Sequence, residues 1–476
     1  MSTARAENPK VVALPGPPGL GLGSFDLASL GYSTEEFFVS GTASSYKLNG
    51  AATADGHWNV TPKENAPYVT RIVVARPTDP KKFNGTVMVE WLNVSAGADG
   101  PPDWISVHRE ILRSGYAYVA VSAQKVGIDG GAGLLGASAS ALKKSNPERY
   151  GSLNHPGDAY SYDIYSQAGE AVRAAATTKI LGPLVPKRII AAGESQSAVF
   201  LTTYVNAVDP VAKVYDGFLI HSRFGRSASL ENASMSGAQS QPSAVKYRSD
   251  LRVPVMTVIT ETDLLGNLAS GYYGARVPDN KNLRVWEIAG TAHADNYLFG
   301  VGLMDSGSAP LEKLAAGYEP ITKVMGGTLA KAINNAPQHH YVVEAALSSL
   351  NRWVSSGKAP PKAAPLKVQA GQPNEPVHLV LDANGLAEGG VRTPWVDVPT
   401  ARLSGMGNSG SPMASMAGSC EPFDAATLDR LYPGGKREYL KKFEASLSSA
   451  INAGFILAAD RQEILDLAAI AYRGSH

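Results

Sequence analysis

The stretch Arg188-Ile-Ile-Ala-Ala-Gly-Glu-Ser-Gln-Ser-Ala198 constrains this chain more than any other. Arg188 to Ala192 reads as a short buried strand, and Ala198-Val-Phe-Leu201 opens an apolar helix. Between them, Ser195 sits on a sharp strand-to-helix turn, the arrangement that lifts a nucleophilic serine above the edge of a sheet. Such a turn is tight, so the residues two positions to either side must be small. Gly193 meets that condition; Ser197 stands where the usual pattern has a second glycine, making the motif G-x-S-x-S. A five-residue match of this kind acquires meaning only from what lies downstream.

Along the chain, strands and helices alternate. Residues 1–33 are rich in Gly, Pro and Ala and read as an extended, poorly structured arm. Strands are expected at Glu36–Ala43, Tyr68–Ala75, Gly85–Leu92, Tyr116–Ser122, Arg188–Ala192, Val214–Ile220, Val253–Ile259 and Leu283–Ala289. Helical spacing covers Trp104 to Ser114, with Gly115 as its stop, and Tyr162 to Thr178. Apolar strands alternating with helices imply a mostly parallel sheet covered on both faces. A Gly/Ala/Ser-rich insertion at about 126–157 is long for a bare loop and reads as a cover over a site. Residues 34–330 then form the core, and 331–476 an appended subdomain packed on it or capping the site. In that subdomain His340–Ser356 reads as a helix. Val377–Leu381 and Gly390–Val398 read as strands joined through Asp382-Ala-Asn-Gly385, and two or three amphipathic helices follow from Ala425 to Tyr472.

Composition narrows the function. A net charge of +1 argues against nucleic-acid or anionic-membrane partners, and no apolar run approaches the ~18 residues of a membrane span. The single Cys420 excludes an internal disulfide and any multi-cysteine metal site. There is no His-Glu-x-x-His, and no glycine fingerprint follows the first strand, so neither a metal nor a nucleotide cofactor is expected. Ala4-Arg5-Ala6 has the small-x-small pattern at which a secretory leader is cut, which allows an exported, periplasmic or secreted, location.

A serine nucleophile needs a base within reach and an acid to orient that base. Thr260-Glu-Thr-Asp263 follows the seventh expected strand, and Gly290-Thr-Ala-His-Ala-Asp295 follows the eighth. Serine, carboxylate and histidine thus come in the chain order that a nucleophile turn demands, on loops at the carboxyl edge of the sheet. Of nine histidines, only His293 follows the last core strand on a Gly-containing loop. The acid is Asp263 by its spacing from the strand end, with Glu261 as the alternative. Candidate oxyanion donors are the backbone N–H of Gln196 and one from Asn93 or Val94 in the loop Leu92–Gly100. His155, Asp158, His221, Arg223 and Arg392 are further polar groups placed to line a substrate pocket.

Gly-Glu-Ser-Gln-Ser-Ala, Trp-Glu-Ile-Ala-Gly-Thr-Ala-His-Ala-Asp, Glu-Arg-Tyr-Gly-Ser-Leu-Asn-His-Pro-Gly-Asp and Gly-Gly-Val-Arg-Thr-Pro-Trp together resemble a family of large bacterial α/β-hydrolase-domain proteins. The likeness runs from about 35 to 472, and within that family a serine at position 197 is less anomalous. Ser195 and His293 match the family's nucleophile and base; the carboxylate stays open. The strand count agrees, with eight strands and the serine after the fifth. The expected fold is therefore an α/β-hydrolase with a cap insertion and a C-terminal α+β subdomain. The resemblance implies hydrolysis of a small-molecule carboxylic ester through an acyl-enzyme. An acyltransferase or lactonase with the same triad, or a catalytically silent hydrolase fold used for binding, are the competing expectations.

Overall fold

The computed structural model describes residues 9–231, 242–267, 269–369 and 376–475; the Ala4-Arg5-Ala6 pattern lies outside them. Nine strands form one sheet: β1 (Lys10–Leu14), β2 (Tyr32–Leu48), β3 (Val60–Pro77), β4 (Thr86–Trp91), β5 (Ala117–Val121), β6 (Arg188–Glu194), β7 (Gly217–His221), β8 (Val255–Ile259) and β9 (Leu283–Glu287). Their order is β1-β2-β3-β5-β4-β6-β7-β8-β9. The pairs β1/β2, β2/β3 and β3/β5 are antiparallel, and every neighbouring pair from β5 to β9 is parallel. All eight expected strands are present. The ninth is β1, so the N-terminal arm is not simply extended: Lys10 to Leu14 pairs with Ser40 to Glu36 of β2. An edge strand needs one neighbour and little burial, which is why a short run before a Pro/Gly-rich stretch gave no signal.

The parallel strands read as apolar runs because they bury both faces. In β4, Val87, Val89 and Trp91 join one apolar cluster while Met88 joins the other. In β6, Ile189 and Ala191 face the first cluster, and Ile190 and Ala192 the second. Period-2 alternation thus divides each strand between two helical layers. Helices α1 (Pro102–Ser114) and α5 (Gln338–Ser356) cover one face; α2 (Ser161–Arg173) and α3 (Gln196–Thr203) cover the other. Helix α1 starts on Pro102, whose missing N–H is no loss at a first turn. Its Asp103 and Trp104 amides donate to the Glu90 carboxyl of β4, both at 2.9 Å. It ends at Gly115 (φ 72°), as the sequence suggests.

Two expectations need adjustment. The boundary near 330 falls ahead of α5, whose Val342, Val343, Leu347 and Leu350 pack with the central strands, so this helix is part of the sheet's own cover. Residues 390–398 are not a strand: Val391 makes a single parallel bridge with Ile288, after which Pro394 begins a helical turn, Pro394–Asp397. Proline supplies no amide to a ladder and its fixed φ suits a first turn instead. The turn at 382–386 is present, with Leu381 bridged to Ala387 and Gly385 at φ 79°. The remainder forms a two-stranded ribbon, Ala401–Ser404 with Ser419–Pro422, whose connection carries a short helix, Pro412–Met416; three helices follow, of which α6 (Gly435–Ala453) and α7 (Arg461–Ala471) are the longer.

The 126–157 insertion is a compact set of turns and short helices around Ile128, Leu142, Tyr150 and Leu153. It is tied down by Arg149 and Tyr150, which both bond Glu36 of β2, and by the Leu135 amide, which donates to the Ser95 carbonyl at 2.8 Å. The loop after β4 is thereby covered. Among the described residues no helix is long and apolar enough to cross a membrane.

The close of α1 is testable. A Cβ on Gly115 would lie 1.9 Å from the backbone oxygen of Lys82, on a left-handed backbone. Gly115→Ala should destabilise the fold by more than the ~1–2 kcal/mol of the left-handed conformation alone, read as a lower urea midpoint; an unchanged midpoint would contradict this.

Candidate active site

Ser195 is the hinge between β6 and α3, with φ 57° and ψ −116°. A positive φ in a non-glycine residue is held only where the surroundings impose it. Here the Ser195 amide donates to the His221 carbonyl at the end of β7, 3.0 Å away. A Cβ on Gly193 would stand 2.9 Å from Leu201 Cδ1 and 3.0 Å from Ser197 Cβ. The crowding is therefore between positions 193 and 197, and glycine at the first makes room for serine at the second. Ser195 is only 5% exposed.

His293 lies in the turn after β9. Its Nε2 is 2.8 Å from Ser195 Oγ, and its Nδ1 is 2.5 Å from Asp263 Oδ1. The Phe224 ring lies 5.0 Å from the imidazole, centre to centre, and the His293 amide donates to Thr262 Oγ1. Asp263 belongs to α4 (Glu261–Leu265), which Thr260 caps. Its second oxygen, Oδ2, accepts from the Thr260 amide at 2.8 Å and the Thr260 hydroxyl at 2.7 Å. Burial opposes ionisation, but the His293 ring and the Thr260 donors outweigh it and hold the Asp263 carboxyl below its usual range.

The two candidate acids differ in what they touch. Glu261 has no bond to the imidazole among those of the described residues. One of its oxygens accepts from the Gly290 amide at 2.6 Å, the other from the Gly405 amide at 2.8 Å. Burial pushes its carboxyl up to about 7. Glu261 thus ties the acid loop, the histidine loop and the C-terminal ribbon together, and Asp263 alone of the pair meets His293.

Of the two possible second oxyanion donors, the Asn93 amide is engaged by the Gly100 carbonyl at 2.9 Å in a bridge that closes the loop. The Val94 amide instead faces Gln196 Oε1 at 3.3 Å, long for an N–H···O bond. The backbone N–H of Gln196 opens α3, where first-turn amides have no partner within the helix. Gln196 Nε2 donates to Gln124 Oε1 at 2.6 Å, which also accepts from Trp91. Arg71 and Ser122 hold Asp99 at 2.6 and 2.5 Å, fixing the far side of the same loop.

Each of the five groups expected to line a pocket has partners within the protein. His155 bonds the Ala123 carbonyl, and Asp158 accepts from the Lys125 amide. Arg223, wholly buried, donates to backbone carbonyls of Phe224 and Val245 and lies over Tyr247. Arg392 pairs with Asp397 and the Ala387 carbonyl, bracing the 382–397 turns. His221 belongs to a buried chain: Asp103 Oδ1 to His221 Nδ1 at 3.0 Å, His221 Nε2 to His339 Nε2 at 2.9 Å, and His339 Nδ1 to Asp295 Oδ2 at 3.1 Å. Burial pushes the Asp103 carboxyl up, and burial with the neighbouring His339 pushes His221 well below its usual range. That chain was not foreseen beyond His221, because its members come from four distant segments. Glu194, next to Ser195, is a second group with no signal in the sequence. It is buried, with Oε1 3.6 Å from His293 Nε2.

The chain matches the alpha/beta hydrolase domain family over residues 5–466. It belongs to that family. Among solved structures, this alpha/beta hydrolase is similar to a serine hydrolase without a lid from Xanthomonas campestris, XC6422, at 12% identity and TM-score 0.29, covering 57% of this chain and 93% of that one. It is also similar to esterase Est22 (15% identity, TM-score 0.28, 49% and 65%) and to an arylesterase (13%, 0.25, 41% and 62%). The aligned part spans just under two thirds of those last two chains. No curated protein matches the chain. Likenesses so distant assign no activity to this alpha/beta hydrolase.

The clasp at Glu261 carries a pH signature. Its folded carboxyl titrates higher than an exposed glutamate's, so the folded state holds a proton that the unfolded chain releases first. The stability it contributes is fully present below about pH 4.3 and is lost as pH rises through about 7. The wild-type advantage over Glu261→Gln in urea unfolding should therefore shrink between pH 5 and pH 8. A constant difference across that range would show that Glu261 is ionised throughout.

Proposed function

We propose that the protein is a serine hydrolase that cleaves carboxylic esters through an acyl-enzyme, with Ser195 as nucleophile, His293 as base and Asp263 as the acid that orients it. The observation that supports this most directly is the continuous bond path from Asp263 Oδ1 through the imidazole to Ser195 Oγ, at 2.5 and 2.8 Å. With Asp263 ionised, the neutral ring carries its proton on Nδ1, leaving the Nε2 lone pair directed at the serine hydroxyl. As Oγ attacks an ester carbonyl, its proton passes to Nε2, and the imidazolium that forms is stabilised by the carboxylate.

The negative charge that develops on the carbonyl oxygen falls to the Gln196 and Val94 amides. In the resting site Val94 holds only the neutral Gln196 side-chain oxygen at 3.3 Å, and a charged acceptor forms a shorter, stronger bond. Collapse of the tetrahedral species returns the Nε2 proton to the departing alcohol. Water then repeats the sequence on the acyl group.

Ser195→Ala should abolish hydrolysis of short p-nitrophenyl esters and labelling by a fluorophosphonate while unfolding stays cooperative; retained turnover would sink the assignment. Asp263→Asn, which forces the wrong ring tautomer, should lower kcat by roughly 10⁴-fold. Glu261→Gln should cost less than about tenfold, since it removes a clasp and leaves the Asp263–His293 bond. Equal losses in the two acid variants would reverse that assignment.

A further inference from the structure

The mechanism above leaves one buried acid beside the reacting atoms without a task. Glu194 precedes the nucleophile, ends β6, and is 4% exposed. Asn93 Nδ2, from the loop after β4, donates to its backbone oxygen at 3.2 Å and to its Oε2 at 3.4 Å. Its other oxygen, Oε1, is buried with no hydrogen-bond partner and lies 3.6 Å from His293 Nε2. A buried acceptor left unpaired is costly, and a fold keeps one where something else completes it. Burial, and then the neighbouring carboxyls of Asp103, Asp263 and Glu90, drive its carboxyl well above the usual range.

We propose that Glu194 Oε1 and His293 Nε2 together hold the water that deacylates Ser195. This rests on the triad reading above. Two acceptors 3.6 Å apart both reach one oxygen placed about 2.8 Å from each, so a single water donates one hydrogen to Nε2 and the other to Oε1. The leaving alcohol has departed from that same side of the imidazole. In the step itself the water oxygen bonds to the acyl carbon while its proton moves to Nε2. The bond from that carbon to Ser195 Oγ then breaks, the Nε2 proton passes to Oγ, and a carboxylic acid and free serine result. Glu194 keeps its own proton count throughout and fixes only the direction of the attacking lone pair.

An alcohol acceptor separates this role from a structural one. Methanol has a single hydroxyl hydrogen, which Nε2 takes, and so makes no use of Glu194; water uses both. The test compares wild type with Glu194→Met, close in size and lacking an acceptor oxygen, and Glu194→Gln, which keeps one. Each is loaded with a p-nitrophenyl ester in water and in water–methanol mixtures, and nitrophenol release, acyl-Ser195 mass and the acid-to-methyl-ester ratio are followed. Glu194→Met should slow deacylation by water roughly tenfold, so that acyl-enzyme accumulates, and shift the product ratio towards methyl ester by a similar factor. Glu194→Gln should recover most of that shift. An unchanged product ratio in Glu194→Met, or acylation slowed as much as deacylation, would overturn the proposal while leaving the triad in place. Failure of a fluorophosphonate to label Ser195 in wild type, or full turnover in Ser195→Ala, would instead remove the triad reading beneath it. If Glu194→Met does not fold, Glu194→Leu carries the same prediction, and a normal product ratio in either counts against it.

Discussion

The left-handed backbone at Ser195 is the constraint on which the rest of the site depends. A φ of 57° at a serine is unfavourable for a chain in isolation. It persists because β6 is clamped between β4 and β7 and because the apolar face of α3 is locked into the core through Ala198, Val199, Phe200 and Leu201. Strand and helix cannot both keep their packing unless the residue between them turns sharply, and the turn puts Oγ at the carboxyl edge. The crowding between positions 193 and 197 then explains the departure from two glycines. Only one of the facing pair has to lack a Cβ, and Gly193 is the one.

A second constraint is electrostatic. Glu90, Asp103, Glu194 and Asp263 lie close enough to act on one another, and all are buried. Like charges in a low-dielectric interior exclude one another, so ionisation concentrates where it is best matched. Asp263 has the imidazole and two Thr260 donors; Glu90, raised by burial and by Asp103, receives two amides and the Tyr118 hydroxyl; Glu194 receives one weak amide contact. Asp263 is the one pushed down, and the other three are pushed up. Asp263 is thus set apart from the other three by its surroundings as well as by its distance to His293.

What was legible in the sequence follows the same division. The parallel strands of the sheet's centre are legible because strands buried on both faces must be apolar, and Ser195, Asp263 and His293 each follow a strand of the parallel part of the sheet. The long β2–β3 hairpin was underestimated, since residues 60–67 are mostly exposed and carry no burial pattern. Asn93 and Val94 could not be separated, because the difference is a bridge to Gly100 seven residues on. His221 reads in sequence as one more candidate to line a pocket; the chain it belongs to, with Asp103, His339 and Asp295, comes from remote segments, and pairing at that range leaves no local trace. The carbonyls that Arg223 and Arg392 bond are hidden for a related reason: an arginine looks the same in sequence whether it meets a ligand or a backbone carbonyl.

The C-terminal region bears on the triad more directly than its distance along the chain suggests. Thr262 donates its hydroxyl to the Gly405 carbonyl at 2.5 Å, and the Gly405 amide returns a bond to Glu261. A Cβ on Gly405 would lie 2.6 Å from Glu261 Cβ, the Thr262 amide and the Thr291 carbonyl, so the ribbon's end is wedged between the acid loop and the histidine loop. Asn334 joins the histidine loop to the ribbon, donating to the Gly290 and Ser404 carbonyls at 2.9 and 3.1 Å. The loops that carry Asp263 and His293 leave adjacent strands and bond each other directly, through the Gly290 amide on Glu261 and the His293 amide on Thr262 Oγ1. The ribbon's end adds a third body to that contact. The 2.5 and 2.8 Å spacings around His293 are therefore braced both by neighbours in the two loops and by Gly405, more than a hundred positions beyond Asp263.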